Sequence, residues 1–174
     1  NPMIYYAMEL FESCGAIDHV IVVARKEEIK KINKIKKQHS FRKIKSIVLG
    51  GEERQNSVYN GLMSIKNVKD GDIVVIHNGS NPFVKESEIT ECIDEAKKFG
   101  AAVAGFPLKD TIKKISNEFV DKTIDRKDVY QVQTPQCIKY GLLAEAFENE
   151  KKKKIKATDD VSIVESLGKK VKIV

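Results

Sequence analysis

Tryptophan is absent from this 174-residue chain, and cysteine, methionine and proline number only three, three and four. The cysteines, Cys14, Cys92 and Cys137, are odd in number, far apart and without CxxC spacing. That pattern excludes a disulfide framework and a cysteine zinc site, and leaves buried, reduced thiols as the expectation. No apolar run approaches the roughly 20 residues a membrane helix needs, and no signal-peptide pattern opens the chain, so neither a membrane nor a secreted protein is expected and a cytoplasmic one is. Aromatic residues make up 7% and few stand near lysines, which argues against a nucleic-acid surface of basic residues interleaved with rings.

Charge, by contrast, is plentiful. The net charge of +6 comes from lysines spread along helical segments, with one dense run at Lys151 to Lys154 that reads as a solvated helix end or loop. Mild basicity of this kind suits an enzyme of anionic substrates. The length fits one domain with a full core.

Apolar strands and amphipathic helices alternate along the chain. Val20 to Ala24 reads as a strand and Lys26 to Lys37 as a helix carrying Ile29, Ile32 and Ile35 on one face. Ser46 to Leu49 is a strand, Arg54 to Ile65 a helix, and Ile73 to His77 an apolar strand that must be covered on both faces. Lys85 to Phe99 follows as a helix closed by Gly100, and Ala101 to Phe106 is a further strand. Such alternation implies an α/β domain with a mostly parallel sheet between helices. Asn1-Pro2 reads as a cap and first turn, so the chain starts inside an element, and Lys170 to Val174 ends it inside a strand. A single domain truncated at both ends is the expectation.

Residues 110–115 and 120–125 break the alternation: two polar-rich strands joined by Ser116-Asn117-Glu118-Phe119 read as a hairpin. An isolated hairpin is marginal in water, so its apolar residues need cover. A second copy of the chain and the chain's own domain both qualify.

Two segments run a strand directly into a small polar turn: Gly50-Gly51-Glu52-Glu53-Arg54-Gln55-Asn56-Ser57-Val58, and Ile73 to Ile76 followed by His77-Asn78-Gly79-Ser80-Asn81-Pro82. In an open α/β sheet, ligands lie beyond the carboxyl ends of strands, which makes these turns the first candidates for a nucleotide site.

The segment at 50 to 62, Lys109-Asp110-Thr111-Ile112-Lys113, Thr123-Ile124-Asp125-Arg126, Gln133-Thr134-Pro135-Gln136 and Thr158-Asp159-Asp160-Val161-Ser162 share their order and spacing with one family. Together they span nearly the whole chain, and in this register it resembles the 2-C-methyl-D-erythritol 4-phosphate cytidylyltransferases. Ribitol-5-phosphate cytidylyltransferases share that architecture. The resemblance implies a Rossmann-like nucleotidyltransferase fold with a protruding hairpin arm over 109–126. It also implies transfer of CMP from CTP to a polyol or sugar phosphate with release of pyrophosphate, Mg²⁺ as cofactor, and a homodimer formed through the arm. The matched positions assign Gly51, Glu52, Arg54, Ser57 and Asn78 to the nucleotide. Thr111, Thr134 and Thr158 fall to the acceptor, and Arg126 to holding its nucleophilic phosphate. Thr158 has a second reading as part of a helix cap.

Two departures stand out. The family's usual His-Asp-Ala-Ala-Arg-Pro is replaced by His77 to Pro82, with Asn78 and Asn81 where an aspartate and an arginine are usual. A neutral amide is a weaker Mg²⁺ ligand than a carboxylate, so an altered acceptor, another metal arrangement or a nucleotide-binding homologue without catalysis are the alternatives. The family's glycine-rich triphosphate loop is expected ahead of Asn1, and a lysine-bearing segment beyond Val174. His77 reads as a strand-end residue with structural hydrogen bonds.

Overall fold

The computed structural model describes residues 1–153, 157 and 159–174. Helix α1 (Met3–Ser13) opens the chain with Pro2 itself at the cap position, one residue later than the sequence pattern places it. β1 (Val20–Ala24) and β2 (Ile44–Leu49) pair in parallel across α2 (Lys26–Gln38). Glu27 and Glu28 in the first turn of α2 and Lys36 and Lys37 in its last complement the helix dipole, and Ile32 is buried from the predicted stripe.

After α3 (Arg54–Met63) come β3 (Ile73–Ile76), α4 (Glu86–Phe99) and β4 (Ala101–Pro107). Gly100 closes α4 at φ +93°, a left-handed conformation that side chains resist, and its N–H returns to Ala96 O at 2.8 Å. β5 (Ile112–Ser116) and β6 (Phe119–Ile124) form the hairpin, whose turn residues Asn117 and Glu118 both take positive φ. β7 (Tyr130–Lys139), α5 (Tyr140–Lys153), α6 (Asp160–Glu165) and β8 (Lys172–Ile173) complete the order.

The larger sheet runs β3-β7-β4-β8, and β7 is antiparallel to both its neighbours while β4 and β8 are parallel. This long strand departs from simple β/α alternation. Its outer half carries Gln131 and Gln133 and its inner half contains Pro135, so it lacks an apolar strand pattern. Proline removes a ladder donor; the β4–β7 register shifts between Val103 and Gly105, opposite the stretch that contains Pro135, where the ladder is interrupted. Thr134–Pro135 is a cis bond.

Three cores hold these layers. Ile89, Cys92, Ile93 and Ala96 of α4 pack with Phe11, Ala102 and Cys137 on one face of the larger sheet, joined by Ile73 and Val75. Leu143, Ala146 and Phe147 of α5, with Val161, Ile163 and Val164 of α6, cover the other face at Ala101, Val103 and Ile138, joined by Val74 and Ile76. β3 is therefore covered on both faces, as its sequence requires. Tyr5, Met8, Val22, Ile32, Phe41 and Ile44 form the third core under the β1–β2 pair. Helix α1 thus contributes to two cores, and all three cysteines are buried and free.

The hairpin is not folded into the domain. Phe119 is 77% exposed, and Ile115 and Val120 are exposed beside it, so this chain's own core leaves them uncovered.

Candidate active site

The turn after β2 is built on α3. Gly50 N–H donates to Ala24 O at 2.9 Å, and Gly51 N–H donates to Ser57 Oγ at 3.0 Å. Ser57 in turn donates to Glu53 O, and Asn56 Oδ1 accepts from the Glu53 amide at 3.2 Å. A Cβ on Gly51 would stand 2.2 Å from Asn56 Cβ, closer than any real contact. Glycine is required here by the turn's own packing on the helix, in addition to any ligand it admits. One lone pair of Ser57 Oγ remains for a ligand donor. Glu52 is exposed beside it.

The first turn of α3 also grips the chain before α6. Gln55 Nε2 donates to Ala157 O at 3.3 Å, and Arg54 Nη2 stands 2.5 Å from Asp160 Oδ2. Asp160 is fully buried and its oxygens have no other partner among the described residues. Burial pushes its carboxyl above the usual aspartate range, and the Arg54 guanidinium partly offsets that rise. Asp159 caps α6, accepting Ser162 N–H at 3.0 Å, so the cap lies one residue after Thr158, where the sequence also allowed it. Thr158 lies outside the described residues.

Gln136, a buried residue that the sequence pattern did not single out, joins this helix start to β7. Its Oε1 accepts from Asp160 N–H at 3.0 Å and Val161 N–H at 3.1 Å, while Nε2 donates to Asp159 Oδ2 at 3.1 Å. Two residues earlier on β7, Thr134 is buried, and its hydroxyl accepts from Asn78 N–H at 3.5 Å. Only its place in a matched motif could have marked Gln136; its partners are distant in sequence.

Gly51 and Ser57 meet in the turn before α3, Arg54 of the same helix reaches the α6 start, and Gln136 continues from there to β7, where Thr134 meets Asn78. Thr111 and Arg126 stand apart on the exposed arm, whose base is closed by Leu108 N–H to Val129 O and Val129 N–H to Arg126 O. His77 Nε2 bonds Asn81 O at 2.8 Å, its ring packs 5.1 Å from that of Phe11, and burial holds its pKa below the ordinary value. Among the described residues no three His, Cys, Asp or Glu side chains cluster as metal ligands. Asn78, Gly79 and Ser80 are all exposed in this turn.

The family model for IspD, 2-C-methyl-D-erythritol 4-phosphate cytidylyltransferase, matches residues 1–174. The chain belongs to this family. Among curated cytidylyltransferases of that name, it is 45% identical over 173 residues to the one from Clostridium acetobutylicum, covering 98% of this chain and 74% of the relative. It is 39% identical to that from Geobacillus thermodenitrificans, covering 99% and 75% respectively. The crystal structure of the 4-diphosphocytidyl-2C-methyl-D-erythritol synthase from Anaerococcus prevotii superposes with a TM-score of 0.89 at 28% identity, covering all of this chain and 76% of that one. This cytidylyltransferase chain therefore spans about three quarters of its relatives' length. No helix among the described residues is long and apolar enough to cross a membrane.

Proposed function

We propose that this cytidylyltransferase transfers CMP from CTP to 2-C-methyl-D-erythritol 4-phosphate. An oxygen of the acceptor phosphate attacks the α-phosphorus of CTP, a new P–O bond forms, and the bond to the β-phosphate oxygen breaks with its electron pair leaving on pyrophosphate. No covalent enzyme intermediate is needed. The protein's work is to align two anions and stabilise the charge between them. The observation that carries this reading is the juxtaposition of the Gly50–Ser57 turn with the start of α6 and with Thr134, through Arg54–Asp160 and Gln136.

In this reading Gly51, Glu52 and Ser57 face the cytidine, with the Ser57 hydroxyl and the turn's main chain reading the base edge. Arg54 and Asn78 stand on the nucleotide side, and Thr134 and Thr158 on the acceptor side. No three His, Cys, Asp or Glu side chains cluster among the described residues, and Mg²⁺ needs only one or two carboxylates together with substrate phosphates. In this reading Mg²⁺ would come bound to the triphosphate of CTP and would neutralise charge on its phosphates. The arm's exposed Phe119, Ile115 and Val120 are proposed to pack on a second copy of the chain. That dimer would carry Thr111 and Arg126 to a partner's acceptor phosphate, where the guanidinium fork would hold it in line. A cytoplasmic location accords with this chemistry.

Asn78 and Asn81 favour a second reading, a homologue that binds CTP without turnover or takes another alditol phosphate such as ribitol 5-phosphate. The test is to incubate the intact protein with CTP, Mg²⁺ and each acceptor and to measure pyrophosphate. Release with 2-C-methyl-D-erythritol 4-phosphate supports the first reading. CTP binding without release for any acceptor defeats it.

A further inference from the structure

Asp160 presents a puzzle that capping does not solve. The helix start of α6 is already satisfied by Asp159, which accepts Ser162 N–H, and by Gln136 Oε1, which accepts from Asp160 N–H and Val161 N–H. The Asp160 carboxylate caps nothing, yet it is fully buried, with Arg54 as its sole charged partner among the described residues. Burying a carboxylate is unfavourable, and Arg54, itself 38% exposed, offsets that cost only in part. The pair therefore calls for a role other than holding the fold together.

Its placement supplies one. The first turn of α3 carries the Gly51 turn on one side, through Ser57 and Asn56, and on the other it grips Ala157 through Gln55 and Asp160 through Arg54. Gln136 continues the line from α6 into β7, where Thr134 follows two residues away. With Oε1 taken by two N–H groups and Nε2 by Asp159 and Gln133 O, Gln136 has no hydrogen left for a substrate.

We propose that Arg54, Asp160 and Gln136 are positioning residues that form a latch coupling the nucleotide side to the acceptor side. None of the three contacts substrate in this role. The latch rests on the cytidylyl-transfer reading and refines it, moving Arg54 from a nucleotide contact to a tie between α3 and α6. Its consequence is thermodynamic: each substrate raises the affinity for the other by the same factor, and cutting the latch lowers both affinities.

The test uses the intact enzyme and the variants Asp160→Asn, Gln136→Met, Arg54→Lys, Arg54→Gln and the double Arg54→Gln/Asp160→Asn. KM for CTP and for the acceptor, kcat, and the CTP dissociation constant with and without acceptor are measured, with melting curves as a check on folding. Asp160→Asn, an isosteric change on the acceptor side, is expected to raise KM for CTP at least about fivefold while kcat falls much less. Arg54→Gln is expected to raise KM for the acceptor comparably, Arg54→Lys to recover part of the loss, and the double variant to be no worse than either single one. Gln136→Met supplies a second break in the same line should Arg54→Gln fold poorly. Effects confined to each residue's own side, additive in the double variant, overturn the latch. A parent enzyme that releases no pyrophosphate, whether or not it binds CTP, overturns the cytidylyl-transfer reading, and the latch with it; a competent parent with uncoupled variants overturns the latch alone.

Discussion

Replacing Gly51 by alanine tests how the nucleotide turn is held. The added Cβ would stand 2.2 Å from Asn56 Cβ and 3.2 Å from the Asn56 backbone carbon and Cα. Carbon atoms settle near about 3.5–4.0 Å, so the turn must move by about 1.5 Å. Helix α3 resists that movement, being tied to the α6 start by Arg54–Asp160 and Gln55–Ala157. The turn gives way instead, and the Gly51 N–H to Ser57 Oγ bond breaks along with the Asn56 closure on Glu53. Each hydrogen bond is worth about 1 kcal/mol net, and overpacking adds about 1–3 kcal/mol where the site cannot relax. With the turn relaxing, the two lost hydrogen bonds alone come to about 2 kcal/mol, which lowers Tm by about 4–8 °C for a protein of this size. Thermal melts and CTP titration measure both consequences, with a fall in CTP affinity expected alongside the Tm. Asn56→Gly removes the main colliding atom, so Gly51→Ala should be milder in that background. Unchanged Tm and CTP affinity for Gly51→Ala, or an equal penalty with and without Asn56 Cβ, refutes the packing account.

Three further outcomes follow from the same contacts. Arg54→Gln leaves the buried Asp160 carboxylate uncompensated. Because burial already raises its folded pKa, the native state binds more protons than the unfolded chain above the ordinary 3.8, and the variant's deficit should grow as pH rises from there. At neutral pH it should reach about 2–3 kcal/mol, short of a fully buried pair because Arg54 is 38% exposed; an equal deficit at about pH 4 and pH 7 in denaturant titrations rules the charge out. His77, whose folded pKa is depressed by burial, contributes stability that is complete above 6.5 and is lost as pH falls below it. His77→Gln should flatten that acid-side loss in melts, and an unchanged pH profile excludes His77 as its source. Phe119→Ser should shift sedimentation from dimer to monomer with the fold intact, and a dimer that survives the change removes the arm from the interface.

Legibility in the sequence varied with how local the determining contacts are. The Ile29, Ile32 and Ile35 stripe announces α2, and the Gly100 stop fixes the end of α4, because both signals lie within a few residues of the element they define. The hairpin was equally plain, because two short strand patterns flank the four-residue link Ser116 to Phe119; of the two link residues at positive φ, Asn117 is of a type that visits that region and Glu118 is not. β7 was not, because its burial is supplied by β3, β4 and α4 while its own residues include glutamines and a proline. At the site, Gly51 and Ser57 were legible as a turn leading into a helix. Gln136 and Asp160 were hidden because their partners lie 24 and 106 positions away, at Asp160 and Arg54.

The two sheets share no backbone hydrogen bond among the described residues; α1 spans them with Tyr5 and Met8 in one core and Phe11 in another. Gly51 and Ser57 follow the small sheet, whereas Thr134 and Gln136 belong to the large one. The residues of the proposed site thus come from both sheets, and among the described residues Arg54–Asp160 and Gln136 link the two groups. Helix α1 is the second tie, since one helix packs in a core of each sheet, so a change in its tilt moves both groups of site residues together.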